Sequence, residues 1–407
     1  MSLARVVALL SLLLGLQPVT MDLYLPALPG IAHEFGAPAA QAQFTLTGML
    51  MAFGLSQLAW GPLSDRLGRR PVLLAGTAAY VVAALGCVLA SSMTALVACR
   101  LAQGISLGAA VMGARALVRD LYDPTAGARA LSRALSGMGV IACGGVIAGG
   151  LLAQHSGWRA TMASTAVLGA IVCASMALLL RETLPPERRA RIDAHTLLRT
   201  WGRILSHPTF LAGTGLTSAS FGGVVTYLAA SSFVFIDVLG LSRTQYGAVV
   251  ASSSLVFTAG TLVCRRLLAS LGLRRTVMLG GGLSLFAGAL LATLALAGVR
   301  SVSAVLLPFW LYMLAHGIHQ PCGQATSVAP FPQAAGAASA WSGCLMMVCA
   351  FVGSSVLAHV FADAYDVLVR GVWAWSCLVA LVAWTLVRRH GDLPPGDLIP
   401  SGCALRQ

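Results

Sequence analysis

Lysine is absent from this chain: all 26 basic residues are arginine, which a GC-rich genome explains without guanidinium-specific chemistry. Charge of either sign is scarce. Charged residues make up 10% of the chain, against about a quarter in soluble domains, and 57% are hydrophobic, which excludes a soluble globular protein. With only 13 acidic residues the formal net charge is +13. The arginines are spread through loops between apolar runs, so membrane orientation explains the excess better than nucleic acid, and no nucleic-acid partner is expected. The ten cysteines form no C-x-x-C pair and mostly fall inside apolar runs, which points to small packing residues with no disulfide framework or metal site. No H-E-x-x-H occurs.

What the chain has instead is apolar length. A helix crossing a bilayer needs about 20 apolar residues. Runs of that kind lie near 5–31, 41–64, 72–91, 95–118, 130–153, 158–180, 207–234, 243–267, 276–297, 302–325, 335–360 and 366–388. The fold class predicted is an all-α polytopic membrane protein with twelve transmembrane helices. The N-terminal run has a signal-peptide look, but Pro18, Asp22, Pro26 and Pro29 follow where small residues would be needed for cleavage, so it is kept as the first span. With the N-terminus inside, only Arg159, Arg243, Arg300 and Arg370 fall on the far side and Arg100 within the membrane; every other arginine is cytoplasmic.

The densest charge in the first half is Gly61-Pro62-Leu63-Ser64-Asp65-Arg66-Leu67-Gly68-Arg69-Arg70-Pro71, between the second and third spans. Asp65 and the arginines exclude it from hydrocarbon, Gly68 suits a helix stop and Pro71 a helix start. Gly61, Asp65, Arg66, Gly68, Arg69 and Arg70 resemble the G-x-x-x-D-R-x-G-R-R loop signature of the major facilitator superfamily. That resemblance implies two pseudo-symmetric six-helix bundles with both termini cytoplasmic. A gating role is expected for the loop, with Asp65 and Arg66 latching the first half to the second when the molecule faces outward. Shifting by 204 residues lays Gly68 on Gly272, Arg70 on Arg274 and Asp65 on Ala269, a decayed copy.

The halves are predicted as 1–180 and 207–390, joined by a linker over 181–206 and followed by a cytoplasmic tail over 391–407. Within the linker, Leu197, Leu198, Trp201, Ile204 and Leu205 alternate with Arg199 and Arg203 as an amphipathic surface helix would.

Two ionisable groups inside the first-half spans stand out, Asp22 and Arg100. At 1.5 Å per residue, Asp22 lies about 25 Å from the cytoplasmic edge and Arg100 about 8 Å below the outer one, so the two share a depth and are expected to pair. Pro26 cannot bond the Asp22 carbonyl, so the helix should bend there. Asp22 then reads as a proton-binding carboxylate tuned by Arg100, or as half of a static ion pair.

Arg100-Leu101-Ala102-Gln103-Gly104 resembles the R-x-x-Q-G signature of proton-coupled facilitator antiporters. With Met21–Pro29, Arg119-Asp120-Leu121-Tyr122 and the Glu182–Arg189 string, the resemblance narrows to the Bcr/CflA branch of drug:proton antiporters. It implies export driven by inward protons, with Asp22 and Arg100 in the coupling region. The fifth helix departs from that group's A-P-x-x-A-P-x-x-G-G, since Ala142 and Val146 replace the prolines, while Gly149 and Gly150 remain and Gly145 and Gly149 allow close packing.

The second half offers His316, His319 and Gln320 on the tenth span, the two histidines three residues apart and so on one face. Substrate contact, proton relay, metal binding and plain hydrogen-bonded packing are all open to them. Tyr24, Gln103, Tyr227 and Tyr312 complete the expected substrate cavity, an amphipathic one.

The function expected is a proton-coupled antiporter of the inner (plasma) membrane, exporting small amphipathic compounds by alternating access, as a monomer in lipid with no cofactor beyond the proton gradient. Export of an endogenous metabolite such as a siderophore, proton symport, a membrane enzyme using His316 and His319, and a channel are the alternatives.

Overall fold

The computed structural model describes residues 3–122, 124–185, 187, 194–361 and 363–391. The tail over 392–407 and linker residues 186 and 188–193 lie outside the described residues. All described regular structure is helical. The first span is a broken helix: α1 (Leu3–Asp22) ends where Pro26 has no N–H for the Asp22 carbonyl, a 3-10 turn covers Leu25–Ala27, and α2 (Leu28–Glu34) completes it.

There follow α3 (Ala39–Leu67), α4 (Arg69–Val88), α5 (Met93–Leu121), α6 (Pro124–His155) and α7 (Gly157–Leu179). Next come α8 (Ala194–Ser206), α9 (Pro208–Ser232), α10 (Arg243–Leu296), α11 (Val302–Val328), α12 (Ala335–Val360), α13 (Ala364–Val382) and α14 (Arg388–His390). Short π-helical turns at Phe233–Val238 and Ala383–Val387 extend α9 and link α13 to α14.

Local chemistry sets the ends. Gly68, at φ 104°, stops α3 and starts α4 in a conformation that a residue with a Cβ resists. Ser92, Ser242 and Ser301 cap α5, α10 and α11 by accepting from the N–H groups of Ala95, Gln245 and Ala304, each satisfying a donor the helix leaves free.

Ten segments among the described residues are long and apolar enough to cross a membrane. One of them, α10, is 54 residues long and holds two helices, the eighth and ninth expected spans, which meet at Gly272, whose φ of 74° and ψ of 174° are not helical. The second expected span is α3, which is 29 residues long but falls outside the ten. Its buried Gln43, Thr45, Thr47, Ser56 and Gln57 lower its hydropathy and face other helices. The fifth expected span, α6, runs unbroken through Ala142 and Val146.

Helix α1 packs on α5, α6 and α7, and α4 on α5 and α7; α9 packs on α11, α12 and α13, and α10 on α11 and α13. Two seams join these sets, α3 against α12 and α6 against α10. Within the linker, α8 lies on the start of α12, with Ile204 buried against Phe210 and Ala338 and Trp201 edge-on to Trp341 at 5.3 Å. Its Leu198, Arg199 and Arg203 are exposed.

Candidate functional site

Arg100 is fully buried on α5, and its guanidinium is filled by neutral acceptors. It donates to Gln103 Oε1 at 2.7 Å, the Thr20 carbonyl at 3.1 Å and the Thr45 carbonyl at 3.3 Å. The Tyr24 ring covers it at 4.1 Å from the ring centre, a cation–π contact of the desolvated kind. Around this core, Gln103 Nε2 donates to Thr165 at 3.4 Å, Thr20 shares a 2.6 Å hydrogen bond with Tyr80, and the Tyr24 and Thr45 hydroxyls lie 3.3 Å apart.

The expected Asp22–Arg100 ion pair is absent: no ion pair among the described residues includes Asp22. The reason is rotation about the helix axis. Thr20, whose carbonyl meets Arg100, is two residues before Asp22, and two residues turn an α-helix by about 200°. Equal depth placed the side chains at one level but on different faces. Half-buried Asp22 sits at the broken end of α1, close enough to Tyr246 of α10 to act on it electrostatically.

That break is held from behind by α6. A methyl on Gly149 would overlap the Leu23 carbonyl, and one on Gly145 would lie 3.1 Å from Val19. Gly150 faces the other way, where a methyl would lie 2.9 Å from the Arg243 carbonyl of α10. Arg243 in turn donates to the Ala153 carbonyl at 2.6 Å, and its backbone N–H to Gln154 at 3.1 Å, so α6 and α10 are tied together at this end.

The second-half candidates form a separate group. The hydroxyl of Ser220 on α9 lies 2.8 Å from His316 Nδ1 and 3.3 Å from His319 Nδ1, and Tyr312 donates to the Ser220 carbonyl at 2.9 Å. Tyr227 stacks on Phe309 at 3.3 Å between ring centres, and Gln320 Nε2 meets the Met346 sulfur at 3.4 Å. His319 Nε2, Gln320 Oε1 and the Tyr227 hydroxyl are buried with no hydrogen-bond partner among the described residues. Ser220 escaped the sequence reading because it lies in a run of small residues, Thr217-Ser218-Ala219-Ser220, with no charge to mark it. Among the described residues no three His, Cys, Asp or Glu side chains come together as a metal site would need.

The charged loop forms a cluster inside the first half. Arg69 is 2% exposed and bridges Asp65 at 2.6 Å and Asp120 at 2.7 Å, while donating to Ser64 at 3.1 Å. Arg70 is spent on the carbonyls of Leu180 and Ala177. Glu182 accepts from the backbone N–H groups of Arg69 and Arg70 at 2.9 and 3.2 Å, capping α4 with a negative charge where the helix dipole favours one. Burial alone would raise the Glu182 carboxyl, but backbone hydrogen bonds from Leu184, Arg69, Arg70 and Thr183 outweigh it and hold it below the ordinary carboxylate range.

Among the described residues Asp65 makes no direct ion pair with the second half in this structure. It pairs with Arg119 at 3.3 Å, and Arg119 lies against the start of α12, where a methyl on Gly336 would be 3.6 Å from its guanidinium. The direct bond across this end is Arg115 to Ser339 at 2.7 Å. Arg66 is exposed, and Gly61 faces Met112 beside Pro62 within α3.

A family model of the Major Facilitator Superfamily matches residues 10–354. The chain belongs to that superfamily. This facilitator is 31% identical over 338 residues to a chloramphenicol resistance protein of Pseudomonas aeruginosa, covering 82% of this chain and 77% of that one. It is 30% identical over 368 residues to multidrug resistance protein D of Escherichia coli strain K12, covering 87% of each chain. In shape it is similar to the crystal structure of a D-xylose-proton symporter, with a TM-score of 0.75 at 16% identity over 94% of this chain and 95% of that one.

Membership makes this facilitator a multi-pass transporter of the inner (plasma) membrane and not an enzyme. One hydrolase-like spacing agrees with that on inspection. Gly104-Ile105-Ser106-Leu107-Gly108 has the G-x-S-x-G pattern, yet Ser106 lies inside α5 and donates back to the Ala102 carbonyl at 2.8 Å, whereas a nucleophile elbow is a strand-to-helix turn. Gly104 and Gly108 instead admit Met49 and Ser56 of α3.

Proposed function

We propose that this facilitator is a proton-coupled antiporter that exports small amphipathic compounds by alternating access, working as a monomer. Residues 1–180 and 207–390 form two six-helix bundles that rock about the α3–α12 and α6–α10 seams, with both termini cytoplasmic. The observation that carries the reading is Asp22: a carboxyl at a helix break in the membrane, with no cation at ion-pair distance among the described residues, while Arg100 is already filled by other acceptors. Such a carboxyl takes up and releases a proton without first breaking a salt bridge. Intramembrane acids are costly and serve as proton carriers in many transporters.

Export of drugs is supported by the names of the two relatives, one of chloramphenicol resistance and one of multidrug resistance. The cargo is assigned to the space between the Arg100 group, with Tyr24 and Gln103, and the second-half group of Tyr227, Tyr312, His316, His319 and Gln320. The unpartnered polar atoms of Tyr227, His319 and Gln320 supply hydrogen bonds for a polar end of the cargo, and the Tyr227–Phe309 stack a flat apolar wall.

The test is transport in proteoliposomes. Wild-type protein should release protons into the medium when substrate is added and concentrate substrate against its gradient, whereas Asp22→Asn should fall to the level of empty vesicles. Gradient-driven accumulation retained by Asp22→Asn would remove Asp22 from coupling. Substrate-stimulated proton uptake along with cargo would make the protein a symporter.

A further inference from the structure

Where α13 passes into α14, the face of the molecule carries a cavity of about 550 Å³ lined by Arg274, Trp384, Thr385, Arg388 and Arg389. Three arginines converge on it, and all three are exposed. None of them makes an ion pair with any described carboxylate. In the matching loop of the first half Asp65 and Asp120 neutralise Arg69, and the position of Asp65 is Ala269 here; Arg274 itself matches Arg70, whose guanidinium is taken by the Leu180 and Ala177 carbonyls.

The walls of the cavity are the second stretch of α10, over 273–296, and the end of α13. Trp384 ties them at one level by donating its indole N–H to the Met278 carbonyl at 3.2 Å, and Gly281 lets Ala383 approach just beyond. Deeper along the same two helices the surface turns apolar and open. Leu279 and Phe286 on α10 are 54% and 58% exposed, and Leu381 and Leu378 on α13 are 58% and 40% exposed. In a membrane-spanning pair of helices these side chains face hydrocarbon, and an exposed tryptophan at the junction marks the headgroup level.

We propose that this cavity binds the phosphodiester headgroup of an anionic phospholipid, with its acyl chains lying along Leu279, Phe286, Leu378 and Leu381. Guanidinium groups suit phosphate because their planar N–H pairs match two oxygens at once. A cavity that is basic at the interface and continuous with an apolar strip fits a molecule that is anionic at one end and apolar at the other. Free phosphate satisfies only the first half of that description. The assignment rests on the helices spanning a membrane and is independent of the coupling role given to Asp22.

Native mass spectrometry of delipidated full-length protein tests it, with phosphatidylglycerol, phosphatidylcholine and inorganic phosphate as probes. Wild type should retain a phosphatidylglycerol adduct in preference to phosphatidylcholine. Each Arg→Gln change at Arg274, Arg388 or Arg389 should weaken that adduct about fivefold, since one basic residue near an anionic lipid is worth about that much. Arg265→Gln with Arg266→Gln, exposed on the stretch of α10 before Gly272 and outside the cavity, should leave it unchanged.

Equal retention by wild type and the triple variant, equal binding of phosphatidylcholine, or equal loss in the Arg265/Arg266 variant would each overturn the site. Displacement of the lipid adduct by millimolar inorganic phosphate would reassign it to a free anion. Should the triple variant fail to fold, brominated phosphatidylglycerol must still quench wild-type fluorescence more than Trp384→Phe fluorescence, and equal quenching would overturn the site.

Discussion

Arg100 has three oxygen acceptors and one ring face, and no other side chain reproduces that set. Lysine carries the charge but only a compact ammonium, so Arg100→Lys leaves at least one of the Thr20 and Thr45 carbonyls unmatched in the core. The expected cost is about 1–3 kcal/mol of stability, read from thermal unfolding in detergent, together with loss of transport. That Arg100 and Gln103 are central was legible in the sequence, because a charge inside a span needs a reason to be there. Their geometry was not. Depth along a helix follows from counting residues, whereas the direction a side chain takes depends on which neighbour the helix meets, and Asp22 and Arg100 matched in the first respect only. Ser220 carries the opposite lesson, since a serine between small residues becomes meaningful only when two histidines of another helix arrive at its hydroxyl.

Among the elements, α6 and α4 make the sharpest statements. Gly149 lies against the backbone of Leu23, so Gly149→Leu should displace the end of α1 and abolish transport, whereas Gly144→Leu, which points into open space, should be tolerated. The measurement is uptake at matched expression in the membrane. For α4 the cap is Glu182, and the sign of its pH effect is fixed by its direction. Its folded carboxyl titrates below the ordinary range, so its contribution is fully present above the unfolded value of about 4.3 and is lost as pH falls through the lower folded value. The stability difference between wild type and Glu182→Gln should therefore be flat from pH 5 to 8 and shrink only on further acidification. Helix existence and approximate limits were readable from apolar runs; α3 was readable too, despite its polar content, because the loops on both sides bounded it. The sharpness of the turn inside α10 was not, since a sequence does not show that Gly272 alone suffices to join two spans.

Across the whole molecule, the α6–α10 seam carries the Arg243 bond to Ala153 at one end, and the α5–α12 approach carries the Arg115 bond to Ser339 at the other. Under the rocking reading these act in opposition. Arg243→Ala should raise the reactivity of a cysteine placed near Asp22 toward a membrane-impermeant thiol reagent from the outside, and Arg115→Ala should lower it. Changes of the same sign in both variants would contradict opposed gates. Two halves are suggested in the sequence by the long charged segment over 181–206. The contacts between α6 and α10 and between α5 and α12 were not legible, because Ala153 offers only a carbonyl, Gly336 only space and Ser339 a hydroxyl like many others in the chain.

The modest strength of those joints has a thermodynamic consequence. A hydrogen bond of this kind contributes about 1 kcal/mol net, or about 1.5–3 kcal/mol when one partner is charged. A proton descending a potential of 100 mV releases about 2.3 kcal/mol. Under the proposed proton coupling, one bond at each end of the molecule is thus of the same size as the work available from one proton, and the energised membrane can bias the balance of the two closures without any larger fuel.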